Sequence, residues 1–409
     1  MVPELAQWCK VLEGCPAVAA GPGKTPLVME ENRLYLRRYW EYEEEVARGF
    51  LRRGEGACFP VDCKLLAAGL SRYFPVSSGG DNDGQRLAAL VAMVRPLAVI
   101  TGGPGTGKTT TVASILALLA EQYPEPHKRL RVALAAPTGK AAMRLQESIS
   151  RVKKSWQFQD LGEGAAIPEQ VMTLHRLLGA IGGTASFRHD EKNPLPYDLI
   201  VVDEASMVDL PMMAKLFRAL RPETRLVLLG DRHQLASVEP GSVLGDLCHP
   251  AALALFSKEF FGCLGGFEVA PVSGSASGMT VGLSDSLVEL RRSHRFARES
   301  GIGRLGAAVK SGDVSGVWEV LADPAATDVV WREVSSSDLF EKMLAGLILD
   351  WFAGLQNMTP AEALAANEHF RVLCALRQGP FGAEQVNARI ERLLQKHGYQ
   401  VAAGRNYLG

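Results

Sequence analysis

Over the middle of the chain, short and nearly all-apolar runs alternate with segments of helical period. Leu97–Thr101, Arg131–Ala136, Asp198–Asp203 and Arg225–Gly230 each read as strands. Such continuous apolar character is what a strand needs when both faces of its sheet are covered. A Gly-rich turn follows the first run and leads into a helix that reaches about Ala120. A second helix follows the second run through Ser150. Strands alternating with helices in this way predict an α/β fold around a parallel sheet.

The flanks read differently. In 1–75, Leu34, Tyr35, Tyr39, Trp40 and Val46 recur at near-helical spacing within an Arg- and Glu-rich stretch, which predicts a small, mostly helical domain. The turn-rich PVSSGGDNDG of 75–84 reads as a linker, and the small, polar 270–284 as a surface loop. Val329–Val334 and Arg371–Leu376 read as strands of a second α/β unit. The expected division is a helical domain over 1–75, a parallel-sheet domain over 76–285 and a second α/β domain over 286–409.

A length of 409 residues suits this division, at roughly 100–200 residues per domain. With 44 Lys+Arg against 45 Asp+Glu and 47% hydrophobic residues, the chain is neither a wholly basic nucleic-acid coat nor a disordered polymer. Its longest apolar stretches, such as 111–120, fall short of a membrane span, which needs about 18 residues or more. No basic start followed by an apolar run opens the sequence, so a cytoplasmic protein without a membrane partner is expected. Two segments are locally basic: 128–154, with Lys140, Arg144 and Arg151, and 286–310, with Arg291, Arg295, Arg298 and Lys310. Each is either a nucleic-acid track or a solvated helix face. The seven cysteines have no paired spacing and read as buried or idle thiols rather than a disulfide framework.

The sharpest chemical signal is Gly102-Gly103-Pro104-Gly105-Thr106-Gly107-Lys108-Thr109, continued by Thr110. It fits the phosphate-binding loop G-x-x-x-x-G-K-[ST]. Glycines let backbone N–H groups close around a phosphate without Cβ clashes, and the following helix start adds its dipole. Lys108 would place a charge on the β- and γ-phosphates, and the Thr109 hydroxyl would ligate Mg²⁺. A second GKT, in Gly21–Thr25, has Val18 where the upstream glycine belongs and Pro26 directly after it, so it reads as a loop.

Asp203 ends a buried strand, where it would hold Mg²⁺. The adjacent Glu204 would orient or deprotonate an attacking water. Gly230-Asp231 ends the next strand, and parallel strands present these ends on one edge. There Gln234 would sense the γ-phosphate. Gln85 lies upstream of the loop, and its amide offers the donor–acceptor pair that matches the N6/N7 edge of adenine.

Together these motifs resemble superfamily 1 DNA helicases of the 5′→3′ class, and within them the RecD family of RecBCD-type exodeoxyribonuclease V. Ala136–Ala142, Thr173–Gly179, Val201–Met207, Gly230–Gly245, Ser293–Phe296 and Leu373–Gly382 read as successive members of that series. The region from Pro26 to Leu36 looks like the family's N-terminal part. The resemblance implies an ATP- and Mg²⁺-dependent helicase subunit acting on single-stranded DNA and duplex ends in double-strand break repair and recombination. RecB-like and RecC-like partners would complete a heterotrimer, and any exonuclease activity would belong to a partner. It implies a RecA-like P-loop domain and a second RecA-like domain that closes over ATP in a ratchet. Gln85 would read adenine, and Arg295 would reach the γ-phosphate from the second domain. Thr138, Lys140, Thr173 and His175 would touch the single strand, with Trp156 the nearest aromatic for stacking; His175 and Trp156 read equally as packed residues.

The chain departs from the family at its end. It stops at Tyr407-Leu408-Gly409, before the family's late Thr-Val-His-Lys-Ser-Gln-Gly and Ala-Val-Thr-Arg-Ala-Arg motifs and its SH3-like insertion. The expectation is a truncated chain with an incomplete second motor domain. The alternative to a helicase subunit is therefore a nucleotide-binding chain without motor activity that serves in assembly or regulation.

Overall fold

The computed structural model describes residues 4–399, apart from 76–82, 124–129, 155–167, 169, 236, 238, 250–255, 258–259, 261, 263–280, 298, 335, 356–357 and 367–368. Trp156, Arg298, most of the expected 75–84 linker and 270–284 loop, and the terminal Tyr407–Gly409 lie outside the described residues. The chain divides into two compact units, Met1–Asp313 and Val314–Gly409.

The first unit opens with helix α1 (Leu5–Glu13), strands β1 (Val18–Ala19), β2 (Leu27–Glu30) and β3 (Arg33–Leu36), and helices α2 (Arg37–Gly54) and α3 (Cys63–Tyr73). There follow α4 (Asp83–Val94), β4 (Leu97–Gly102), α5 (Lys108–Gln122), β5 (Val132–Ala136), α6 (Gly139–Lys153), β6 (Val171–Thr173) and α7 (Leu174–Leu178). Next come β7 (Leu199–Val202), α8 (Leu210–Ala219), β8 (Arg225–Gly230), α9 (Val243–Leu247), α10 (Val281–Ser284), β9 (Leu287–Leu290) and α11 (Gly301–Ser311). The small sheet β1-β2-β3 was not expected from the sequence. It turns at Glu31 and Asn32, both at positive φ (46° and 65°), as a tight hairpin requires. Gly21–Thr25 lies in the loop between β1 and β2, as its sequence predicts.

The large sheet has the order β6-β5-β7-β8-β4-β9, every pair parallel. The four strands legible in the sequence are its centre. Their apolar runs divide by the pleat, because successive side chains point to opposite faces. Ala98 and Ile100 of β4 join Val227 and Leu229 of β8 against α4 and α5. Leu97 and Val99 join Leu226 and Leu228 against α2, α7 and α8. At roughly 1.5–3 kcal/mol for each fully buried large aliphatic side chain, these two faces are the main source of stability.

Three sequence expectations need correction. The first concerns the boundary after residue 75. Helix α2 is amphipathic and spends its apolar face on the sheet layer: Phe50 stacks edge-on against Phe217 of α8, with centroids 4.8 Å apart. A Cβ on Gly49 would stand 2.6 Å from the Phe217 ring, so only glycine lets the helices meet this closely. Arg53 is buried and donates to Thr224 O (2.5 Å) and Arg221 O (2.8 Å). The N-terminal helices thus belong to the sheet's own unit.

The second correction concerns the boundary at 286. β9 pairs with β4, from Val99↔Leu287 to Gly102↔Leu290, and the first unit continues to Asp313. The third concerns the second unit. Val329–Val334 and Arg371–Leu376 form no strand among the described residues. A strand exists only through its ladder partners, and these apolar residues stay exposed instead, Val330 at 73% and Leu373 at 91%. The described elements there are α12 (Val314–Ala322), α13 (Ser337–Leu355), α14 (Pro360–Ala366) and α15 (Ala383–Lys396). Leu344 and Ile348 of α13 pack on Val386 and Leu394 of α15, and the Arg389 guanidinium lies over Phe340 at 5.6 Å. No described helix is long and apolar enough to cross a membrane.

Cys9, Cys15, Cys63, Cys248 and Cys374 are free thiols. Cys58 is disulfide-bonded, with its partner outside the described residues, where the sequence suggested thiols alone. Burial pushes the Cys248 thiol up to about 12. At pH 8 the native protein should therefore alkylate at the exposed Cys63 with iodoacetamide and not at Cys248. Peptide mapping by mass spectrometry reads this, and equal labelling rates would contradict it. Arg53→Met should lower stability by about 2–3 kcal/mol, because two buried carbonyls lose a charged donor. Urea denaturation measures it, and an unchanged midpoint would show that the α2 seam does not depend on Arg53.

Candidate nucleotide site

The carboxyl edge of the sheet carries the candidate groups in strand order: Thr173 at the end of β6, Thr138 after β5, Asp203–Glu204 after β7, Asp231 after β8, the phosphate-binding loop after β4, and Ser293–Arg295 after β9. The loop leaves β4 at Gly102 and enters α5 at Lys108. Gly105 and Gly107 sit at φ +75° and +82°, a region that L side chains avoid. Space excludes a side chain as well. A Cβ would come within 2.5 Å of Arg295 Cβ at Gly105, 2.3 Å of Gln85 Nε2 at Gly107, and 2.6 Å of Thr106 Oγ1 at Gly102. Thr106 Oγ1 donates to Gly103 O and Thr111 Oγ1 to Gly107 O, each at 2.9 Å, which fixes the turn. Thr109 and Thr110 lie in the first turn of α5.

The loop is held from three sides. Gln85, on α4, donates its amide to Thr106 O at 3.1 Å. Its second N–H and its oxygen are left for another partner. Ser293 Oγ donates to Pro104 O at 3.1 Å, and His294 N to Gly105 O at 2.8 Å. On the β8 side, Arg232 N donates to Thr101 Oγ1 at 3.1 Å.

Charge converges on the loop. Lys108 Nζ donates to Gly102 O and to Gly103 O, the latter at 3.2 Å. Burial lowers its pKa; Asp231, Glu204 and Asp203, in that order, pull it back up, and Lys310 lowers it further. Burial raises the Asp203 carboxyl to about 6, aided by the charge of Glu204. Glu204 sits at φ +52° with its N–H on Asp203 Oδ1 at 2.9 Å. Its Oε2 is buried with no hydrogen-bond partner. A strained backbone and an unsatisfied carboxylate oxygen in one residue are what a site holds ready for an incoming group. Beside the loop, a cleft of about 300 Å³ is lined by Gly102, Gly103, Thr106, Asp231, His233, Ser293 and Lys310, among others.

The structure thus brings together Gln85, the loop, Asp203, Glu204 and Arg295. It places Arg295 differently from expectation. Because β9 pairs with β4, Arg295 lies in the same unit as the loop, its Cβ against Gly105, rather than arriving from a second domain. Gln234 is exposed, and its N–H is on Asp231 O at 3.1 Å; Asp231 and His233 line the cleft in its place. Thr138 and Thr173 cap α6 and α7, accepting from Ala141 N (3.2 Å) and Arg176 N (3.3 Å). They stand roughly 14 and 19 Å along the edge from β4, at about 4.8 Å per strand. Lys140 and His175 are exposed beside them, with the His175 ring 5.9 Å from Phe187. Sequence reasoning missed the parts played by Asp231, Ser293, His294 and Lys310. Asp231 and Ser293 stood in motifs already singled out, whereas Lys310 was only one charge in a basic run.

A parallel sheet that ends in this glycine turn, with two carboxylates two strands away, defines a P-loop nucleotide-binding domain. Comparison with known proteins agrees and goes further. Residues 85–240 match a model described as an AAA domain, and residues 1–35 match the RecBCD enzyme subunit RecD, N-terminal domain. The chain is 39% identical to the RecBCD enzyme subunit RecD of Mycolicibacterium smegmatis, over 96% of this chain and 64% of that protein. It is 35% identical to the same-named subunit of Haemophilus influenzae, over 95% of this chain and 64% of that one. The chain is thus similar to RecD subunits along nearly its whole length, and it spans about 64% of the length of these relatives. A solved Pif1 of Bacteroides sp, in complex with ADP-AlF4, covers 66% of this chain and 57% of its own at 17% identity and a TM-score of 0.33, too loose a likeness to bear on function.

Gly105→Ala should weaken nucleotide binding tenfold or more, because a Cβ there meets Arg295 and the φ is unfavourable. Isothermal titration with an adenine nucleotide reads the loss. Unchanged affinity would mean that the loop tolerates a Cβ where the structure has no room for one.

Proposed function

We propose that the chain is an ATP-hydrolysing DNA helicase subunit of a RecBCD-type complex. The observation that carries this reading is the strand order β7-β8-β4, which sets Glu204, with its unsatisfied Oε2, beside Asp203 and Lys108 at one loop. Loop N–H groups and the start of α5 would hold the phosphates, and Lys108 would exchange its loop carbonyls for phosphate oxygens. Glu204 would accept the proton of the attacking water through its free oxygen. Gln85 would hold adenine, and Arg295 would stabilise charge on the phosphoryl group as it transfers.

Thr109 and Asp203 fit a magnesium ion. Magnesium keeps several waters and substrate oxygens and needs only one or two protein oxygens. Bound there, it would neutralise charge on the β- and γ-phosphates.

The far end of the same edge would take single-stranded DNA through Thr138, Lys140, Thr173 and His175, continued by the exposed cations Arg144 and Arg151 on α6. Sequence-independent affinity comes mainly from such phosphate contacts. The names of the relatives support a place in a RecBCD-type assembly with RecB-like and RecC-like partners; action on DNA ends in break repair and 5′→3′ polarity follow from the family resemblance.

Steady-state ATP hydrolysis by the purified chain, with and without single-stranded DNA, tests this. DNA should stimulate turnover. Lys108→Ala and Glu204→Gln should each reduce it about a hundredfold or more, with Glu204→Gln still binding nucleotide. Turnover indifferent to DNA and to both substitutions would overturn the reading. Binding without turnover would instead favour a nucleotide-responsive assembly role. Unwinding of 5′-tailed but not 3′-tailed duplexes would establish polarity.

A further inference from the structure

We infer that Lys310 is a second cation of the nucleotide pocket, one that contacts the terminal phosphate and sets the preference for triphosphate over diphosphate. This rests on the nucleotide reading above. Lys310 stands in the last turn of α11, a helix held at its start by Ser300 Oγ, which accepts from Gly303 N at 3.1 Å. Its Nζ lies 2.9 Å from where a Cβ on Gly103 would stand, so it reaches the phosphate-binding loop itself. It also lines the cleft that holds Gly102, Thr106, Asp231 and Ser293.

Lys310 has no hydrogen bond or ion pair among the described residues. The carboxylates that line the same cleft are engaged. Glu289 is shared by Arg232 at 3.0 Å and Arg291 at 3.1 Å. Asp231 accepts from His233 N at 3.0 Å and exerts the largest carboxylate influence on Lys108. Two ammonium groups therefore approach one glycine turn, and the charge of Lys310 disfavours that of Lys108. That arrangement is unfavourable in isolation, and a multiply charged anion between the two relieves it.

The position says which part of a nucleotide that anion is. The helix start and its N–H groups take the inner phosphates, and the loop lysine takes the β- and γ-phosphates. Lys310 adjoins Gly103, on the strand side of the loop and away from the start of α5. It therefore meets the end of the polyphosphate that a triphosphate has and a diphosphate lacks. A lysine in the last turn of a helix also suits the helix dipole. That role would affect only helix stability, equally with either nucleotide or none.

Equilibrium binding of a non-hydrolysable fluorescent ATP analogue and of the matching ADP, measured on the full chain, separates these roles. Lys310→Met should lose about tenfold or more in triphosphate affinity while ADP affinity changes less than about twofold, the size of one charge-assisted hydrogen bond. Lys310→Arg should recover most of the loss, and the melting temperature without nucleotide should stay close to that of the unsubstituted chain. In a second measurement on the unsubstituted protein, the triphosphate analogue should protect Lys310 from acetylation, read by mass spectrometry, and ADP should not. Equal losses for both nucleotides, no loss, or equal protection would overturn the assignment. Lys108→Ala is the control for the underlying reading: if it leaves both affinities intact, the nucleotide site itself is wrong, whereas its loss with an unchanged ratio in Lys310→Met removes only the role of Lys310.

Discussion

Strand β4 is paired on both sides, and the setting of the glycine turn depends on that double pairing. Its bond to β8 places Thr101 opposite Gly230, and its bond to β9 places Gly102 opposite Leu290. The first pairing brings Asp231 alongside the glycine turn. The second brings Ser293 and His294 down onto Pro104 and Gly105. The loop itself is short of stabilising contacts, because glycines bring no side chain and lose much conformational freedom. It holds its shape because Ser293 and His294 after β9, and Gln85 from α4, donate to its carbonyls, while Arg232 N after β8 donates to Thr101 Oγ1 at its entrance.

Electrostatics completes the picture. Three carboxylates and two lysines crowd the edge at β7, β8 and β4, with Lys108 folded onto loop carbonyls and Glu204 short of a partner. Glu204 Oε2 is better satisfied by a water or a cation, and Lys108 by a phosphate oxygen, than by what surrounds them. The site is thus preorganised by its mismatches, and the remainder of the sheet supplies the stability that lets them persist.

Much of this was legible before the structure. The four central strands announce themselves because burial on both faces leaves them few polar positions, Thr101 and Arg225 among them. The loop and Asp203–Glu204 follow from spacing alone. Strands β6 and β9 did not show, because three or four residues give too little pattern, and β9 sits inside a basic run that drew attention to its charges. Val329–Val334 and Arg371–Leu376 have strand-like composition, yet composition is only an invitation to pair, and no described neighbour accepts it. Arg295 was singled out but assigned to a second domain, whereas it lies in the loop's own unit, since its placement depends on β9 register, which no local signal carries. Lys310 lay beyond reach for the same reason.

The α2 seam has a consequence in time rather than in space. Arg53 and its acceptor Thr224 are 171 residues apart in sequence. A ribosome adding about 5–20 residues per second delivers α2 roughly ten to thirty seconds before β8 exists. Through that interval Phe50 and Gly49 present an apolar helix face with no helix α8 to receive it. The nascent chain therefore spends much of its synthesis with its first long helix waiting, and closes this part of its core only after Asp203 and Glu204 have emerged.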